Sequence, residues 1–139
     1  MEIFSFDEGS QADIAGTIMI APEERSFWLA FCTFNIHWRG EVIQTRDDIL
    51  IGEREQLKRE YSIFHDLYQQ LLMQLPWKDA SGLKMNLKLD EGLLYLIFTE
   101  MDTFREYCWE AGDTEGEELC SSYRILLKSL IEEDLNSKK

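Results

Sequence analysis

A chain of 139 residues with 27 acidic against 14 basic side chains carries a formal charge of −13, a field that repels the phosphate backbone a nucleic-acid groove must neutralise. The length suits one domain spanning residues 1–139, the 45% hydrophobic content is ordinary for a globular protein, and no apolar run reaches the ~18 residues of a membrane span. The same acidity would steer a basic protein partner inward and raise its association rate, or serve solubility alone.

Residues 1–7 contain an early acid, no basic region and no long apolar stretch, so they do not read as a secretory signal. A short edge strand is expected at 3–6 and a further strand at 13–21, closed by the turn Pro22-Glu23-Glu24-Arg25. The clearest strand signal covers 27–38. Trp28, Ala30, Cys32, Phe34, Ile36 and Trp38 form an unbroken apolar row, and the alternate positions begin apolar and turn polar at Thr33, Asn35 and His37. Arg39-Gly40 offers a tight reversal into a short strand at 41–45, a hairpin.

The period then changes. Leu57, Tyr61, Phe64, Leu67, Tyr68, Leu71, Leu72 and Leu75 recur at intervals of three and four, which predicts an amphipathic helix over 53–75, stopped by Pro76. Alternation predicts a strand at 83–89, the run Asp90-Glu91-Gly92 a turn, and the nearly continuous apolar stretch 93–99 a central strand. Residues 104–111 fit either a third strand or a short helix capped by Asp102. An acidic loop is expected at 112–118, then a closing helix from near Glu117 with Leu119, Tyr123, Leu126, Leu127, Leu130 and Ile131 inward, and a frayed tail at 136–139. No internal repeat is visible. This order predicts an α+β domain: an antiparallel β-sheet of about five to seven strands with two long amphipathic helices packed on one face.

Little in the chain is suited to catalysis. Neither His37 nor His65 lies in a pattern that ties it to a hydroxyl or thiol nucleophile and an orienting acid. Gly112–Glu118 lacks the order of a calcium loop, two histidines and three scattered cysteines give no zinc spacing, and phosphate-cradling glycine motifs are absent. No catalytic residue, metal or cofactor is therefore expected. An odd set of cysteines, Cys32, Cys108 and Cys120, reads as reduced thiols of a cytoplasmic protein. A minority enzyme reading would be a small hydrolase or isomerase using Asp47 or Asp48 with His37.

The aromatic stretch 27–38, the turn at Gly40, a second strand, Thr45-Arg46-Asp47-Asp48-Ile49-Leu50, a long amphipathic helix and a hairpin over 83–99 follow one another in an order that resembles small bacterial immunity proteins. That family protects cells from wall-associated and contact-dependent toxins. The resemblance covers about half the chain and implies a stoichiometric inhibitor of a toxin domain, often a basic nuclease. The charge itself points to a non-catalytic acidic protein that binds a basic partner, and the resemblance implies that this partner is a toxin it neutralises. Asp113, Glu115, Glu117 and Glu118 would lead the contact, with Asp47 and Asp48 behind them. A secretion chaperone or adaptor is the alternative, and it would expose an apolar groove for an extended chain.

Overall fold

A computed structural model describes residues 14–73 and 85–137. Its elements are β1 (Ile14–Ile20), a 3-10 turn (Pro22–Glu24), α1 (Arg25–Thr45), α2 (Ile51–Met73), β2 (Met85–Asp90), α3 (Glu91–Glu110) and α4 (Thr114–Ser137). Helix dominates. The expected sheet of five to seven strands is corrected, among the described residues, to two antiparallel strands, β1 and β2, beside four helices. The strand expected at 3–6 and residues 74–84, with Pro76 and Trp77, lie outside the described residues.

The main correction concerns 27–38, which is helical within α1. Its buried positions are Phe27, Trp28, Phe31, Cys32, Asn35 and Arg39, a stripe at helical spacing, whereas Ala30 in the apolar even row is exposed. Because almost every side chain from 27 to 36 is apolar, periods of two and of 3.6 both find matches. Two signals favour helix: twelve residues exceed a usual strand, and Pro22 stands at the start of a helical turn, where its missing N–H costs nothing. The hairpin strand expected at 41–45 is the end of α1, so Arg39-Gly40 lies inside a helix rather than at a reversal. Its terminal carbonyls are capped from α2, with the Arg54 guanidinium donating to the carbonyl oxygens of Ile43 and Arg46.

The stretch 93–99 is likewise helix. Asp90 caps α3, its Oδ1 accepting the Leu93 N–H at 2.8 Å, so Asp90-Glu91-Gly92 starts a helix instead of turning a hairpin. Leu93, Leu94, Ile97, Met101, Phe104 and Cys108 form the buried stripe, which resolves 104–111 as helix through Glu110. Asp102 is mid-helix and faces Arg105 and Arg124 at 3.6 and 3.3 Å. The acidic loop shrinks to a turn at Ala111–Asp113, because α4 already begins at Thr114.

That turn is specified locally. Gly112 has φ +78°, a backbone region that favours glycine. The Gly112 N–H donates to the Trp109 carbonyl at 3.1 Å and the Asp113 N–H to the Cys108 carbonyl at 2.8 Å, the paired bonds of a Schellman closure. Asp113 then caps α4 through Gly116 N–H to Oδ1 at 2.9 Å. A Cβ at Gly116 would stand 2.9 Å from Cys108 Sγ, so only glycine lets the first turn of α4 approach α3 this closely.

The element order is β-α-α repeated: β1-α1-α2, then β2-α3-α4. Spacing of buried positions repeats with it, Phe27, Trp28 and Phe31 in α1 matching Leu93, Leu94 and Ile97 in α3. The sequence shows no repeat because residue identities differ while the burial pattern is shared. Within each unit the two helices form a hairpin, and equivalent elements meet across the units, β1 with β2 and α1 with α3. In the sheet Ile18 faces Leu87, and Ile18, Ile20, Leu87 and Leu89 are fully buried, while Thr17, Met19 and Lys88 face water.

An aromatic cluster ties the units together. Phe31 meets Phe64 of α2 and Phe104 of α3 edge-on at 5.7 and 5.5 Å, and Phe27 stacks on Tyr123 of α4 at 5.9 Å. Each such pair adds about 0.5–1.5 kcal/mol beyond its buried area.

Candidate functional site

The four leading acids fall at the α3–α4 corner, but not in a loop. Asp113 is the helix cap described above. Glu115 and Glu117 sit in the first turn of α4, where a carboxylate suits the helix dipole, and Glu118 follows. Asp113, Glu115 and Glu118 are exposed and Glu117 is half-buried. Two further acids join them from α3. Glu106 and Glu110, one turn apart, share a helix face with Trp109, and all three are exposed. None of Glu106, Glu110, Glu115, Glu117 and Glu118 forms an ion pair among the described residues.

Sequence reasoning missed the aromatic part of this corner. Trp109 is 67% exposed and Tyr107 52%, unusual for side chains of that size. Tyr107 is anchored from beneath: its ring stacks on Phe104 at 5.8 Å and lies 4.9 Å from Phe34. The two acids of α3, unlike Asp113, Glu115 and Glu117, are also placed against local stability. The last turn of α3 has no basic residue, and Glu106 and Glu110 oppose the helix dipole and one another. Violations of local preference concentrate at working surfaces. A legible signal existed: from 106 to 118 the chain has six acids and no base, beside a tryptophan.

A second cluster is buried. Arg39 is 1% exposed on the core face of α1. Its Nε donates to Glu60 Oε1 at 3.0 Å, an NH2 nitrogen reaches Glu100 Oε2 at 3.1 Å, and another donates to Asn35 Oδ1 at 2.8 Å. Asn35 in turn donates to the Phe31 carbonyl at 2.9 Å, and the guanidinium lies over the Trp38 and Phe64 rings at 4.2 and 4.9 Å. One cation thus links α1, α2 and α3 through a planar fork that lysine could not reproduce. Two carboxylates face this single cation, and Glu100 Oε1 is buried with no hydrogen-bond partner. In sequence Arg39 was hidden by its reading as part of a turn; at helical spacing it extends the row Phe31, Asn35, Arg39.

The remaining candidates do not assemble. Asp47 is exposed in the α1–α2 connection. Asp48 is held in a two-pronged pair with Arg46 at 2.8 and 2.9 Å, a hydrogen bond that keeps its carboxyl below the usual range. His37 is 74% exposed by side chain, 3.8 Å from Glu41, and roughly 12 Å of helix rise separates it from the end of α1 before either aspartate. His65 is exposed and stacks on Tyr61. Among the described residues there is no group of three or more metal-ligating side chains, and no helix is long and apolar enough to cross a membrane.

The cysteines are inert in character. Cys32, Cys108 and Cys120 are buried free thiols. Burial pushes Cys32 and Cys108 up, and burial with the neighbouring Cys108 pushes Cys120 up to about 12, the opposite of a reactive thiolate.

No protein-family model, curated protein or solved structure matches this chain.

Proposed function

We propose that this chain is a non-catalytic binding protein whose partner is a basic protein, engaged through the α3–α4 corner. The observation that carries the reading is Trp109, 67% exposed among carboxylates that have no internal counter-charge among the described residues. Exposed tryptophan is the side chain best suited to anchor a contact, because it gains large apolar burial at little entropic cost. A rim of acids around it speeds encounter with a cationic surface and rejects acidic ones.

The narrower form of the proposal is neutralisation of a basic toxin by covering its cationic cleft. Its support is the charge and the corner, since the strand order resembling immunity proteins has given way to helices. A cytoplasmic setting belongs to the same proposal and suits three unpaired thiols.

The test is affinity capture from an extract of the cells that make the protein. Wild type is compared with the combined variant Trp109→Ala, Glu110→Lys, Glu118→Lys. Wild type alone should retain a basic protein, and about 0.5 M salt should release it as the Debye length shrinks. A partner held equally by both proteins, or an acidic partner, would remove the function from this corner.

A further inference from the structure

At the opposite end of α3, about 24 Å along the helix from Trp109, a cleft of about 300 Å³ opens between α2 and the α3 N-terminus. Ile63 of α2 and Leu93 and Leu96 of α3 form apolar walls, and the polar groups at the rim include the carboxylates of Glu60 and Asp90. Among the described residues no basic side chain lines it. Arg39 lies behind Glu60 and is divided between two carboxylates, Glu60 and Glu100, so among the described residues this ion-pair cluster has one more carboxylate than cations before Asp90 is counted. Arg59 is held on Gln56 Oε1 at 2.6 Å, and Gln56, which lines the cleft, carries Glu60 on its Nε2 at 2.8 Å.

The carboxylates retain acceptor capacity. Glu60 takes one bond at each oxygen, from Arg39 at 3.0 Å and from Gln56 Nε2 at 2.8 Å, of about four that an ionised carboxylate can accept. Asp90 uses Oδ1 to cap α3, and among the described residues nothing donates to its Oδ2. The volume lies at the low end for ligand sites, too small for an extended molecule and suited to one short stem with a charged head. An aliphatic chain of three or four carbons laid on Ile63, Leu93 and Leu96, with a cationic tip between Glu60 and Asp90, would satisfy both parts of the lining.

We infer that the cleft between Glu60 and Asp90 binds an alkylguanidinium or alkylammonium group, free or borne as a side chain by another protein. This goes beyond the proposed corner contact and does not rest on it.

The test is a titration of the full chain, followed by amide NMR, with n-butylguanidinium, with n-pentanol as an uncharged stem, and with the blocked tripeptide acetyl-Gly-Arg-Gly-amide. n-Butylguanidinium should shift Gly92, Leu93 and Leu96 saturably, and n-pentanol should not. Asp90→Asn keeps a capping side chain but removes the charge, and should weaken binding about tenfold. In Gly92→Leu the new side chain starts 3.6 Å from Asp90 Oδ1 with nothing else within 4 Å, so it fills the cleft and should abolish binding. Should either variant lose its fold, the other reads the same cleft. Tripeptide binding identifies a protein-borne side chain as an acceptable occupant, and binding of n-butylguanidinium alone identifies a free cation. Overturning results are no saturable shift in wild type, equal binding of n-pentanol, or undiminished binding in the variants. The Glu110→Lys, Glu118→Lys protein should bind n-butylguanidinium unchanged, so this inference and the corner reading fail separately.

Discussion

Arg39 is the residue on which most of the interior depends. Removing it leaves Glu60 and Glu100 facing each other near the core with Asn35 Oδ1 unbonded. Breaking a buried pair from one side costs about 3–5 kcal/mol, so Arg39→Ala should lose that much in urea unfolding. Arg39→Lys should recover only part of it, because one ammonium cannot span three partners held by a planar fork. A loss under 1 kcal/mol for Arg39→Ala would show the network to be dispensable. Titration behaviour follows from other single residues. Burial, and then the hydrogen bond its hydroxyl donates to Glu24 Oε1, push the Tyr123 hydroxyl above its usual 10.0, and burial raises Cys32 and Cys120 above 9.0. For groups neutral when protonated and raised on folding, the unfolded chain releases protons first as pH rises. Their stabilising contribution is therefore whole below about pH 9 and declines from there through pH 12. Thermal midpoints should fall progressively over that window, and less steeply in Cys120→Ala measured against its own value at neutral pH. A flat midpoint between pH 9 and 11 would contradict the burial of these groups.

Among the elements, the α3–α4 turn separates folding from function most cleanly. Asp113→Ala removes the α4 cap and should cost about 1 kcal/mol, whereas Asp113→Asn keeps a capping oxygen and should be nearly neutral. Gly112→Ala should cost about 1 kcal/mol or more, because its φ of +78° is unfavourable to a side chain. If Asp113→Asn nonetheless weakens partner capture, the Asp113 charge belongs to the contact as well as to the cap. This turn also marks where sequence and structure diverge. α2, β2 and α4 were legible because their polar and apolar residues alternate with one clear period, and β1 because the turn at Pro22 closes a short apolar stretch. In the runs 27–36 of α1 and 93–98 of α3 too few positions are polar to choose a period, and helix is selected by features outside the apolar run: Pro22 before α1 and the Asp90 cap before α3. The acids Asp113, Glu115, Glu117 and Glu118 could be read as a patch, but Trp109 could be recognised as its anchor only after 104–110 was known to be helix. The cleft beside Glu60 and Asp90 joins residues thirty positions apart, so no local pattern reports it.

Across the molecule, the last turns of the helices make no use of charge for stability. None of the four helices has a basic residue in its last turn, although that is where a cation would help most. Glu110→Lys should therefore stabilise the fold by about 0.3–1 kcal/mol while weakening the contact, a pair of opposite signs that general damage to the protein cannot produce. The far-ultraviolet circular dichroism should be that of a helical protein, as the four helices and two strands among the described residues require. The central claim is that an acidic, aromatic corner recruits a basic partner. It is tested most directly by the association rate with the captured partner at low and at high salt, for wild type and for Glu110→Lys, Glu118→Lys. The account predicts fast wild-type association that falls steeply with salt, and a variant that is slower at low salt and less salt-dependent. Equal rates and equal salt slopes for the two proteins would contradict it.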